Sequence, residues 1–248
     1  MKQVILFSLF TFFIFSCGED KKNEKADSLR MDSALKALTS NDTVKPANAL
    51  PSTTANTDTT HTIALPPVVE GDIIFQTMGD EQSMAFGKAT HSKYNNVGLV
   101  FIRPRDNLYV VMECRDSLHA TPLTEWVNRG QGHHVALMRL KDSNTALNEK
   151  KTNHLKMAAK PLKGKKTDLY FSWSDDAFYC SELVWKLYKQ GTGIELCTPG
   201  KMSQLDLNGA LVKQQMKNKY GATIPMDEQV VTPDDLYNSP KLVKIYEH

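Results

Sequence analysis

The hydrophobic and polar positions divide the chain into three stretches. A predominantly apolar run extends from Val4 to Phe15. A polar stretch follows to about residue 65, and only Ser28 to Leu38 has the spacing of a short helix. Beyond it the pattern becomes periodic. Val69 to Gln76 reads as a turn entering a short buried strand, and Asp80 to Thr90 as a helix. Asn96 to Ile102 and Leu108 to Cys114 read as two strands of a hairpin, with Pro104 to Asn107 as the turn. In the second strand, alternation puts Tyr109, Val111 and Glu113 on one face, and Val110, Met112 and Cys114 on the other. Cys114 is therefore expected to point away from any site that Glu113 enters, and a Cys114–Cys180 disulfide is not expected.

Further on, Thr121 to Trp126 reads as a helix start, with Thr121 as its cap and Pro122 at the first position. His134 to Leu140 is a strand candidate, and Leu147 to Ala159 an amphipathic helix in a lysine-rich stretch. Thr167 to Phe171 reads as a strand. Leu183, Val184, Leu187 and Tyr188 then recur at helical spacing behind Ser174, Asp175 and Asp176, residue types that open helices. Leu205 to Lys217 is a further helix candidate. Thr232, Pro233, Asp234 and Asp235 make a strong helix start. Strands and helices are mixed without a regular βαβ alternation, which points to an α+β fold.

Thirty basic and 28 acidic residues leave a net charge of +2, so no strong field draws in nucleic acid. The apolar run sits behind Lys2 and ends at Ser16-Cys17-Gly18, the arrangement of a signal peptide. Ile14-Phe15-Ser16-Cys17 resembles a lipobox, which implies a lipoprotein signal peptide over residues 1–17 and a lipid on Cys17 as membrane anchor. An ordinary cleaved signal peptide is the alternative. Either places the protein in the bacterial cell envelope, periplasmic or surface-facing. Residues 18–65 offer little to bury against the entropy of ordering, and Thr39 to Thr62 contains eight threonines. They read as a disordered tether, with the folded domain at 66–248. Cys114, Cys180 and Cys197 remain, an odd number, so at least one is free unless it pairs between chains. No CxxC or His/Cys ligand spacing occurs; no metal and no cofactor are expected.

Phe178 to Tyr188 carries the most specific chemistry. It sets Cys180 at a helix start, where the helix dipole and free N–H groups favour thiolate over thiol. The competing reading is a buried cysteine that acts as a small hydrophobe. Five blocks bear on the choice: Gly71 to Gln76, Ala89 to Val100, Tyr109 to Glu113, Thr121 to Trp126 and Tyr179 to Lys186. Together, and in this order, they resemble the YiiX-type permuted papain-like amidases of the NlpC-like superfamily. The resemblance implies a circularly permuted papain-like fold, a small antiparallel sheet packed on helices. It implies that Cys180 is a nucleophile, that a histidine directly before Val97-Gly98 is its base, and that Glu113 orients this base. Here that position is Asn96, which has no ionisation like that of imidazole. His91, five residues upstream, is the nearest substitute, unless it only packs locally. Gln76 is either part of an oxyanion pocket or a plain strand-end polar residue. His119, His133, His134 and His154 have no motif support.

Two functions follow. One is a thiol hydrolase or amidase acting on an amide or ester, in a cell-wall peptide or a lipid acyl group. The other is an inactive relative that binds a peptide or lipid in the same cleft.

Overall fold

A computed structural model of the chain describes residues 65–168 and 170–248. The signal segment, Cys17 and the threonine-rich stretch lie outside the described residues. No helix of the described part is long and apolar enough to cross a membrane.

The centre is a six-stranded sheet. Its strands in chain order are β1 (Ile73–Gln76), β2 (Asn96–Arg103), β3 (Leu108–Cys114), β4 (Leu118–Pro122), β5 (Val135–Leu140) and the C-terminal Leu242–Glu247, which is β10. The spatial order is β10-β5-β1-β2-β3-β4, and neighbours pair antiparallel throughout. The β2–β3 hairpin forms as its sequence predicts, with Leu99 opposite Met112. Short two-residue strands complete the set: β6 (Lys166–Thr167) pairs parallel with β7 (Ala177–Phe178), and β8 (Gly200–Lys201) pairs antiparallel with β9 (Gln229–Val230).

The α-helices are α1 (Glu81–Thr90), α2 (Leu123–Arg129), α3 (Ser143–Ala146), α4 (Glu149–Ala159), α5 (Cys180–Thr192), α6 (Ala210–Tyr220) and α7 (Pro233–Tyr237). They cover both faces of the sheet, and the strand period of two sorts the side chains between them. Phe75, Val97, Leu99 and Met112 face α5, where Leu183, Val184 and Leu187 are fully buried. Each of those side chains contributes about 1.5–3 kcal/mol by leaving water. Ile74, Val100 and Val111 face α2 and pack on Leu123, Trp126 and Val127. A third apolar cluster joins α1 to α6 through Phe86, Phe171, Val212 and Met216.

Gly191 lets α4 and α5 approach closely, since a Cβ there would lie 2.8 Å from the Leu155 backbone. α5 itself begins at Cys180. Its start differs from the sequence expectation. The N-cap is Tyr179, whose N–H donates to the Glu182 carboxylate at 3.4 Å. Ser174 and Asp175 instead accept from Lys186 Nζ, at 2.6 and 2.8 Å. The α2 start differs too. Thr121 belongs to β4 and donates its hydroxyl to Glu113, and Pro122 is the cap residue without a side-chain bond. By contrast, α7 begins as expected, with Thr232 Oγ1 accepting from Asp235 N–H at 3.0 Å and Pro233 in the first turn.

The expected strand at Thr167 to Phe171 is cut short. Asp168 is buried, and its carboxylate takes the N–H groups of Tyr170 and Ser172, both at 2.6 Å. The chain curls around this carboxylate instead of continuing straight. The helix expected from Leu205 begins later, at Ala210.

Candidate functional site

The start of α5, the start of β2 and the end of β3 meet at a cavity of about 430 Å³. Cys180, Asn95, Asn96, Glu113, Cys114 and Arg129 line it, together with Asp80, Arg115, Asp116 and Asp168. The structure thus brings together three of the residues singled out in the sequence: Cys180, Asn96 and Glu113. It leaves Gln76 and His91 outside.

Cys180 is the first residue of α5. Two backbone N–H groups, its own and that of Val97, face the sulfur and favour thiolate. Burial opposes them and is the larger effect, and the charges of Glu113 and Asp80 add to it. Together these push the thiol up to about 11. The sequence expectation, a thiol lowered by the helix start, is reversed: a local dipole is outweighed by loss of water. Cys197 is pushed further, to about 12, also by burial. All three cysteines of the described part are free.

Asn96 shares Val97 N–H with the thiol. Its Oδ1 accepts that N–H at 3.0 Å. Asn95 turns to Met78, accepting from its N–H at 2.7 Å and donating to its carbonyl at 3.0 Å. This tie positions the loop between β1 and α1 at the cavity rim. No histidine lines the cavity among the described residues. His91 is the left-handed C-cap of α1; its side chain is 76% exposed and lies 3.5 Å from Asp206. It cannot serve the thiol from there. His119 lies nearer the cluster, with Nε2 3.7 Å from Glu113 Oε1, and its Nδ1 is held by Ser117 O at 2.7 Å.

Glu113 is buried on the α2 face of the sheet. Thr121 Oγ1, Trp126 Nε1 (3.0 Å) and the Arg129 guanidinium all donate to its carboxylate. These three donors supply its hydrogen bonds, and the His119 ring stands 3.7 Å away at the edge of the cluster. Arg129 and Trp126 lie three residues apart on α2, one helical turn, and so reach the same point. The Thr121 to Trp126 block signalled part of this cluster in the sequence. Nothing there signalled Arg129.

Cys114 is a correction. The strand alternates as its sequence predicts, but the face of β3 that carries Cys114 is the face that carries α5. Cys114 lies in the same apolar cluster as the α5 side chains and lines the cavity beside Cys180, though no disulfide forms. Glu113 reaches the cavity from the other side, around the strand end. Gln76 is placed on Glu113's side by its alternation with Ile74. It is fully buried, and its two amide atoms find no hydrogen-bond partner among the described residues. It does not line the Cys180 cavity.

The comparisons with known proteins agree with this architecture. The model of the YaeF/YiiX permuted papain-like amidase family (C92) matches residues 67–246. The uncharacterized protein YiiX of Escherichia coli strain K12 is 35% identical over 175 residues, covering 71% of this chain and 84% of the relative. A crystal structure of the metalloprotein YiiX from Escherichia coli O157:H7 superposes with a TM-score of 0.68 at 35% identity. That match covers 72% of this chain and 97% of the other. That relative is called a metalloprotein. Among the described residues no three His, Cys, Asp or Glu side chains converge. In the cavity Asp80 caps α1, Asp168 holds its own loop and Glu113 is bonded by Arg129. The fold, the ordered blocks and the matched span lead to one conclusion: this chain belongs to the permuted papain-like amidase family and carries a hydrolase-type domain of that family.

Proposed function

We propose that this domain is a ligand-binding member of its hydrolase family. It holds an amide- or ester-bearing peptide or lipid in the Cys180 cavity and does not turn it over at an enzymatic rate. One observation carries this reading. Beside the thiol, where a base is needed, stands Asn96, sharing Val97 N–H with Cys180, and no imidazole lines the cavity. A carboxamide cannot accept and return a proton near neutral pH. Without a base, a thiol pushed up to about 11 by burial stays protonated there.

We place the domain in the cell envelope, held to the membrane by a lipid on Cys17, because the apolar run ends at that cysteine. Membrane fractionation and the mass of the mature N-terminus test this; an unmodified Cys17 contradicts it.

The catalytic reading keeps one supporting observation. Two N–H groups at the sulfur could equally receive an oxyanion. Hydrolysis of a panel of acyl amides and esters decides between the two. The natural chain should stay at background. Asn96→His should raise the rate by roughly a hundred- to ten-thousand-fold, the usual contribution of a general base. Asn96→His/Cys180→Ala should return it to background. A natural chain as active as Asn96→His overturns the binding reading.

A further inference from the structure

A second, much smaller space adjoins the Cys180 cavity. It lies between α1 and α6, is lined by Ala85, Ala89, Val212 and Met216, and measures about 20 Å³. Gln82, Phe86 and Phe171 line both spaces. The partition between them is an aromatic pair: the rings of Phe86 and Phe171 stack with centroids 4.8 Å apart and planes 15° from parallel.

Phe171 has an unusual backbone. Its φ is 53°, the left-handed region that a side chain with a Cβ occupies at a cost in free energy. The surroundings enforce that conformation. The Asp168 carboxylate pins the N–H groups on both sides of it, at Tyr170 and Ser172. The edge of Tyr179, the residue before Cys180, meets the Phe171 ring at 5.0 Å, and Lys219 Nζ lies 4.3 Å from the ring centre. A strained residue held this firmly at a cavity wall is a mark of function.

We propose that Phe171 is a gate. The Phe86–Phe171 stack closes an apolar slot that would receive the apolar group of a ligand held at Cys180, and Phe171 thereby sets how long that group can be. This inference rests on the reading of the Cys180 cavity as a ligand site. The slot suits an apolar group because Ala85, Ala89, Val212 and Met216 join the two phenylalanines in its walls, with Gln82, Gln215 and Lys219 as its polar lining. Burial also lowers the Lys219 amine to about 8, as expected at a poorly hydrated rim. Met216 at the far wall is flexible enough to yield to an entering chain.

The test uses Cys180 itself as the reporter, in the full chain. N-alkyl iodoacetamides with methyl, propyl and hexyl tails alkylate it: the S–C bond forms as the C–I bond breaks, iodide leaves and the thiol proton passes to solvent. Mass spectrometry of the Cys180 peptide gives each rate relative to free cysteine, with Cys197 as internal control. The natural chain should discriminate against the hexyl tail. Phe171→Ala should raise the hexyl-to-methyl ratio about tenfold, the scale of a small change in an apolar pocket. Adding Met216→Trp, which fills the slot from behind, should abolish that gain. An unchanged ratio in Phe171→Ala, or a gain that survives Met216→Trp, overturns the proposal. Should Phe171→Ala fail to fold, Phe171→Leu should move the ratio the same way by about threefold, and a flat ratio there overturns it equally. The ratio requires no turnover. A natural chain that hydrolyses amides would therefore refute the binding reading and leave the gate standing.

Discussion

The two sides of the sheet end at β2 and β3 carry polar groups in opposite conditions. On the α2 side, Glu113 is buried and its carboxylate is bonded by Thr121, Trp126 and Arg129. On the α5 side, Cys180 is half-buried, faces backbone N–H groups and has no imidazole lining its cavity. The first is a finished structural cluster; the second is a thiol without an imidazole. The contrast shows that a carboxylate at the end of β3 can be tied fully into the fold while the thiol across the strand end stands without an imidazole.

The largest effect should come from breaking the finished side. Glu113→Ala leaves the Arg129 guanidinium buried and unpaired, and should cost about 3–5 kcal/mol in urea unfolding. A loss below 1 kcal/mol would mean that the cluster is not structural. The next test concerns the α5 side. Glu182, in the first turn of α5, is pushed up by burial from 4.5 to about 7, against the pull of Lys186. A folded-state pKa above the unfolded one means that the folded state binds the proton more tightly. Stability should therefore fall as pH rises from about 4.5 to about 7, by up to about 3 kcal/mol. Glu182→Gln should flatten that slope; an equally steep slope in the variant contradicts the assignment. The smallest effect should come from Trp126→Phe. It removes one donor from Glu113 and keeps the ring, for a loss of about 1.5–3 kcal/mol. The same loss in a Glu113→Gln background would show that the indole acts elsewhere.

The sequence made the local parts of this picture legible. The β2–β3 hairpin, α1 and α7 with Thr232 and Pro233 all depend on neighbouring residues, and all stand close to where their patterns put them. The meeting of Cys180, Asn96 and Glu113 was legible only because the ordered blocks resemble a family. What could not be read depends on contacts across the fold. Ser174 and Asp175 look like helix openers, but Lys186, one helical turn or more inside α5, draws them away. Thr121 looks like a cap, but the buried Glu113 on the adjacent strand claims its hydroxyl. Arg129 reaches Glu113 only because β4 turns directly into α2. The Cys180 thiol was misjudged for the same reason: the helix dipole belongs to the local sequence, whereas burial belongs to the assembled cavity.

The central claim is that Cys180 is a half-buried thiol with no imidazole at its side. The most direct measurement is the rate of iodoacetamide alkylation at Cys180 against pH, followed by mass spectrometry with Cys180→Ala as control. The account predicts a rate that is low at pH 7 and climbs in a single step with a midpoint near 11. A plateau already reached below pH 8 would reveal a stabilised thiolate, and with it a proton acceptor at the site that this account denies.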